Sequence, residues 1–341
     1  MTLIGAYLGS PDWQRWNSKQ AEAELSRYKR YGVNTIFAEA DHYRRDIIQI
    51  AQDCALRFMG GLTCFNSKDA LVQNPELHPI CRDGRRRPQM NWYLGITPSY
   101  QAYAQSRLDV LKQMANAYNL DGIWLDFIRW PLHWEHELRD DTPAPLESSF
   151  DEHTLRRFAE FADIDIPAVA TSRKSDWILR AHRDQWIDFK CWIITDFVAQ
   201  AKAIVDAHLA GKPLGLDIVP ATSPQRERLL GQRLHDLSTH ADCFSPMLYH
   251  HALGFSPKWM TETLDEMATE TDKPLVPFVQ VDAFTSEGEL YAAREWERVL
   301  DAALSHGGCA GLIAFTGDML HANGRGRSME GLLRRRPASS A

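Results

Sequence analysis

The sequence predicts an α/β protein built as a single (β/α)8 TIM barrel, and three observations carry that expectation. Eight short apolar runs recur along the chain, segments of helical period separate them, and 341 residues with 44% hydrophobic composition are enough to bury one large core. Strands that are apolar on both faces and separated by helices belong to parallel sheets. Eight strand–helix units in a chain of this length fit a closed barrel better than a doubly wound sheet. The first apolar run leads into YLGS and not into GxGxxG, which weakens the dinucleotide-binding alternative.

In chain order the expected strands are 3–9, 34–40, 58–65, 122–130, 214–220, 242–250, 274–282 and 311–318. Helical segments are expected at 18–32, 44–56, 99–119, 184–211, 223–241, 256–272 and 289–308, several starting at Ser and ending at Gly, as capping chemistry favours. Two connections exceed ordinary length, 65–98 after the third strand and 131–176 after the fourth. In a barrel, connections that follow strands gather on the C-terminal face, where barrel active sites lie. Residues 1–325 are therefore read as the barrel, and 326–341, ending in LRRRPASSA, as a basic and polar tail.

Composition excludes several classes. With 38 basic and 45 acidic residues the formal charge is −7, which disfavours a nucleic-acid surface. The six cysteines are scattered without a CxxC pair, so neither a zinc ribbon nor a disulfide framework is indicated. No apolar stretch reaches membrane-spanning length, and MTLIGAYLGSPDW has no basic n-region or cleavage site. The expectation is a cytoplasmic protein with no membrane partner; a secreted one would need a leader absent from this sequence.

The run NLDGIWLDFIRWP, residues 119–131, carries one carboxylate, Asp126, near the end of a buried strand. Strand alternation puts Trp124, Asp126 and Ile128 on one face and Ile123, Leu125 and Phe127 on the apolar face beneath the helices. Asp126 then points to the barrel axis, where an ionised carboxylate costs several kcal/mol unless it is paired. Two readings remain open for it: a core ion pair with Arg129, or chemistry on the catalytic face.

The segment YLGITPSYQAYAQSRLDVLKQMANAYNLDGIWLDFIRWP resembles the core signature of the glycosyl-hydrolase-like family 10 barrels, and WILRAHRDQWIDF, FSPMLYHHALG and GGCAGLIAFTGD are similar to that group's later elements. The resemblance spans about residues 3 to 320. It implies a TIM barrel with glycosidase activity, the signature aspartate at Asp126, Asp121 and Gly122 at the strand entry and Arg129 at the exit. Trp124 departs from the pattern, which often has a polar residue there. The chitinase pattern DxxDxDxE is absent, since Ile128 stands where its Glu would be, and no HxH marks the first strand.

Glycoside hydrolysis usually takes two carboxylates. The expected partner of Asp126 is Asp217, the single charge in the buried run LGLDIVP. Glu39, Asp41 and Asp282 sit at other strand ends, Gln280 lies in the seventh strand, and Tyr249 and His250 follow the sixth. Trp92 and Trp130 fall in connections after strands, where indole faces suit sugar rings. These residues, with Arg129, are the expected substrate contacts. HWEHE is not HExxH on a helix, so no metal ligand is assigned, and no cofactor. The RDGRRR run at 82–87 offers a solvated loop or an anion-accepting wall. The sequence thus reads as a glycosidase of a poly- or oligosaccharide, with a catalytically inactive carbohydrate-binding barrel as the alternative.

Overall fold

The computed structural model describes residues 2–336 apart from 10, 40–41, 91, 140–142, 283–290 and 323. Eight parallel strands follow one another around a closed (β/α)8 barrel. They are β1 (Leu3–Leu8), β2 (Thr35–Glu39), β3 (Arg57–Thr63), β4 (Gly122–Asp126), β5 (Leu214–Ile218), β6 (Cys243–Leu248), β7 (Phe278–Gln280) and β8 (Gly311–Phe315), and Leu3 of β1 pairs with Gly311 of β8 to close the ring. All eight expected strands are present, each shorter than its apolar run. β7 is the shortest because Pro274 and Pro277 lack the N–H a ladder needs. Both prolines still accept, from Phe244 and Ile313.

Two apolar layers result from the strand period. Ile4, Ile36, Phe58, Ile123, Leu125, Leu216, Phe244 and Leu312 face outward into the core beneath the helices. Leu3, Phe37, Met59, Trp124, Cys243, Met247, Phe278 and Ile313 fill the interior. Trp124 is the plug of that inner layer: its ring meets Phe37 edge-on at 4.9 Å and its indole N–H donates to Ser245 Oγ at 2.8 Å. A Cβ on Gly215 of the neighbouring strand would lie 2.2 Å from Trp124 Cε2, so glycine there makes room for the ring.

The helices Ser18–Arg30, Arg45–Asp53, Gln101–Ala117, Arg183–His208, Pro257–Glu270 and Ala293–Ser305 lie where helical period placed them. The first is held by a capping box between Asn17 and Gln20. Three expectations need correction. The helix expected over 223–241 is broken at Gly231, which takes φ +69°, and the carbonyls left by the turn Arg226–Leu230 accept from the Lys190 ammonium, at 2.6 Å from Arg228 and 2.9 Å from Leu229. The connection 131–176 contains the helix Glu152–Ala162 and the start of Thr171–Ala181. The tail expected from 326 begins as the helix Arg325–Arg335, which docks through fully buried Met329. No helix among the described residues is long and apolar enough to cross a membrane.

The two long connections are fastened to each other by Glu137. Its carboxylate accepts from the backbone of His133 (2.8 Å) and Leu146 (2.9 Å) and pairs with the buried Arg87 guanidinium, which also donates to the Leu146 carbonyl. An antiparallel bridge between Cys81 and Ser148 adds to the seam.

Gly215→Ala is expected to destabilise the fold by about 1–3 kcal/mol, because the methyl has no space beside Trp124. Gly307→Ala, with nothing within 4 Å of the new methyl, should stay within about 0.5 kcal/mol. Urea denaturation of the two variants against the parent measures both.

Candidate active site

Inward side chains at the ends of several strands, with the connections that follow, enclose a cavity of about 770 Å³ at the C-terminal end of the barrel. Trp124 fills the barrel interior one inward position before Asp126 on β4. Tyr7 comes from β1, Glu39 from β2, Asp126 from β4, Asp217 from β5 and Phe315 from β8, while Tyr249 and Asp282 follow β6 and β7.

Asp126 and Asp217 are side by side. β4 and β5 pair in the register Trp124 with Gly215 and Leu125 with Leu216, so one further step sets the two aspartates on the same inward face of adjacent strands. Neighbouring strands run about 4.8 Å apart. Their surroundings separate their charge states. Asp126 accepts the Phe127 N–H at 2.5 Å and lies 3.6 Å from the guanidinium of Arg129. Burial raises its pKa, while Arg129 and the Phe127 N–H pull it back. Asp217, 7% exposed, has one carboxylate oxygen without a hydrogen-bond partner among the described residues. Burial first, then the negative charge of Asp126 and Glu39, holds its pKa well above the ordinary 3.8. The net direction is upward for both carboxyls, and Arg129 favours the ionised form of Asp126 more directly than that of Asp217.

Arg129 is 2% exposed, with its guanidinium 4.4 Å from the centre of the Phe127 ring. Phe127 adopts φ +52°, which ends β4 and breaks the strand alternation. Its ring therefore lines the cavity and does not pack under the helices, while Ile128 turns into the outer core. Both expectations of facing at 127 and 128 are corrected by this one dihedral angle. The ion pair and the cavity position coexist at Asp126, so the two readings of that residue are not exclusive.

Aromatic rings form the walls. Tyr249 stacks on Phe315 at 4.9 Å and lies 5.6 Å from Trp134, and Tyr7 sits 5.1 Å from Phe315 with its hydroxyl 3.4 Å from Glu39 Oε2. Burial, then nearby carboxylates, raises the pKa of both tyrosines, so their phenols stay neutral donors. Glu135, His133 and His136 line the rim; the two imidazoles are 4.3 Å apart. Among the described residues no group of three His, Cys, Asp or Glu side chains is placed to hold a metal ion.

Of the expected contacts, Glu39, Trp92, Arg129, Tyr249 and Asp282 line the cavity beside Asp126 and Asp217. Three do not. Trp130 is 1% exposed, packs with Trp186 and Phe189 and donates its indole N–H to the Lys190 carbonyl, because the chain turns into the core after Phe127. His250 is fully buried and bonded to Glu295 at 2.9 Å; the one-turn helix His250–Leu253 sends it away and brings His251 to the cavity. Gln280 is buried behind the wall, where its carbonyl oxygen accepts from the backbone of His251 (3.1 Å) and Ala252 (3.2 Å). Asp41 lies outside the described residues. The arginine run forms no wall of this cavity: Arg82 pairs with Asp176, Arg85 with Asp83 and Arg87 with Glu137. Tyr7 went unassigned although it carried a legible signal, an aromatic hydroxyl at the last inward position of an otherwise aliphatic strand.

Two outcomes follow from this geometry. Trp92, 52% exposed, should tolerate Ala with an unchanged melting temperature and weakened oligosaccharide binding, whereas Trp130→Ala should cost about 3–5 kcal/mol as a cavity in the core; calorimetric melting and titration separate the two. Asp217 has a raised folded-state pKa, so its contribution to stability is fully present below the ordinary value of 3.8 and is lost as pH rises through the folded value. Asp217→Asn removes that loss. The variant's stability relative to the parent should therefore grow across this window and be flat below it, as urea titrations from about pH 3 upward would measure.

No family model and no curated protein matches the chain, so the family expected from the Asp126 motif is not established. Solved structures do match. The glycoside hydrolase domain of PgaB (BpsB) from Bordetella bronchiseptica aligns with a TM-score of 0.72 at 13% identity, covering 99% of this chain and 100% of that one. The β-galactosidase of the psychrophilic Marinomonas ef1 aligns at 0.65 and 14%, covering 92% of this chain and 54% of that one. The α-L-fucosidase isoenzyme 2 of Paenibacillus thiaminolyticus aligns at 0.58 and 14%, covering 98% and 49%. The chain thus spans about half the length of the last two. In fold, the chain is similar to the barrel domains of glycoside hydrolases.

Proposed function

We propose that the protein is a glycoside hydrolase acting on a poly- or oligosaccharide, with Asp126 and Asp217 as its two carboxylates. The observation that carries this reading is two aspartates in unlike surroundings on adjacent strands at the floor of an aromatic-walled cavity: Asp126 beside the Arg129 guanidinium, and Asp217 with a carboxylate oxygen that lacks a partner among the described residues and a pKa raised first by burial. Glycosidases need a division between acid and base. Asp217 donates its proton to the glycosidic oxygen as the bond from that oxygen to the anomeric carbon breaks. Asp126 faces the positive charge that develops on the sugar ring, and Arg129 favours its ionised form. A water then supplies hydroxide to the anomeric carbon and its proton returns to the carboxylate pair. Tyr7 and Tyr249 offer hydrogen bonds to sugar hydroxyls, and Trp92, Phe127 and Trp134 offer ring faces. The fold shared with glycoside hydrolase domains supports the reading at the level of architecture alone.

Release of reducing ends from a panel of defined polysaccharides is the test. Asp126→Asn and Asp217→Asn should each lower turnover on the order of 10²–10⁴-fold. The Asp217 variant should recover much of that loss on an aryl glycoside whose leaving group needs no proton, and the Asp126 variant should not. Asp126→Asn also leaves Arg129 buried beside a neutral amide, so a modest loss of stability accompanies its loss of activity, and rates are compared per folded molecule. Saturable sugar binding with no reducing ends released would identify a catalytically inactive carbohydrate-binding barrel.

A further inference from the structure

A second groove, of about 500 Å³, opens beside the cavity. The two share Tyr7, Glu39 and Trp92 as common lining, so they are compartments of one cleft divided by those side chains. Each volume falls in the range of pockets that enclose a whole small ligand, about 300–1,000 Å³. The cleft is larger than one sugar unit requires.

The charge of the two compartments differs. The cavity carries the carboxylates of Asp126, Glu135, Asp217 and Asp282, with Glu39 at the junction. Beyond the junction the groove has no further carboxylate in its described lining; it has Thr63, Asn66 and Ser67 and two cations, Lys68 and Arg107. Neither cation makes an ion pair among the described residues, and the Arg107 Nε is buried without a hydrogen-bond acceptor. The two arginines that line the cavity are engaged: Arg129 pairs with Asp126, and Arg139 donates to the Ala252 carbonyl. A buried guanidinium nitrogen without an acceptor costs free energy that a bound anion would return. Trp92, at the divide, offers an exposed indole face on which a ring passing between the compartments can rest.

We infer that this groove is a second sugar subsite, contiguous with the reaction cavity, in which Lys68 and Arg107 receive an anionic substituent on the neighbouring unit of the oligosaccharide. The inference rests on the glycosidase reading for the placement of the reacting unit, and it narrows the substrate class to acidic glycans. The substituent can be a carboxylate, a sulfate or a phosphate, all of which accept from a guanidinium fork and an ammonium.

Matched pairs of oligosaccharides test it: uronate-containing chains against their carboxyl-reduced forms, sulfated against desulfated, and phosphorylated against dephosphorylated. Titrations use the Asp126→Asn background, which slows turnover of the probe, and which pair responds identifies the substituent. One anionic probe should bind about tenfold or more tightly than its neutral partner, and the preference should shrink as salt rises. Lys68→Gln and Arg107→Gln should each weaken that probe about tenfold and leave its neutral partner unchanged. Lys68 is exposed, so its variant retains the test if Arg107→Gln fails to fold. Equal binding within every pair, a preference that survives the substitutions, or no binding of any anionic probe overturns the inference. If no probe is cleaved by the parent protein yet the preference dependent on Lys68 and Arg107 persists, the glycosidase reading fails and the subsite stands. If probes are cleaved with no response to substituent or substitution, the subsite fails and the glycosidase reading stands.

Discussion

The left-handed backbone at Phe127 is the constraint on which the site depends. A bulky residue with φ near +52° is uncommon, and such a conformation costs on the order of 1–3 kcal/mol. Its consequences are all local and all connected. β4 stops at Asp126, the Phe127 N–H turns back onto the Asp126 carboxylate, and the Phe127 ring enters the cavity as a seat for the Arg129 guanidinium. Continued strand would have sent Phe127 under the helices and left Arg129 with the more distant Tyr93 ring alone. Packing recovers the cost: Ile128 and Trp130 enter the outer core, and Trp130 closes against Trp186, Phe189 and the Lys190 carbonyl.

That turn also sets the electrostatics. Two aspartates at neighbouring inward positions in a poorly solvated mouth cannot both ionise cheaply, since each raises the other's pKa. Arg129 breaks the symmetry by standing beside one of them. Trp124 contributes by filling the barrel beneath the pair, which lets the cavity deepen no further and keeps the carboxylates at its floor. The carboxylate-rich cavity and the cationic groove then lie on opposite sides of Tyr7, Glu39 and Trp92.

Rigidity of the rim has its own source. The Glu137 carboxylate gathers three partners, the backbone N–H groups of His133 and Leu146 and the Arg87 guanidinium, and so ties the connections after β3 and β4 together at the cavity mouth. Gln280 does the same service on the opposite wall by holding the backbone of His251 and Ala252. Neither side chain touches the cavity, and each fixes residues that do.

The sequence by itself determined the barrel and the two aspartates. Buried parallel strands need apolar residues on both faces, so eight such runs announce eight strands, and a lone carboxylate within one stands out because burying it is costly. Residue alternation then orients side chains for as long as a strand persists, and Asp126, Asp217 and Glu39 all lie within strands. Past the strand ends that rule lapses. Whether Phe127, Trp130, His250 or His251 faced the cavity depended on one left-handed dihedral angle, at a residue that is not glycine, and on one short helical turn marked only by Gly254 at its end. The partners of Arg82, Arg85 and Arg87, and the absence of one for Arg107 among the described residues, were decided by connections that meet only when the barrel closes. Strand chemistry is local and repeats with a fixed period, whereas the cavity wall is assembled from segments far apart in the chain, so only the tertiary structure could select its members.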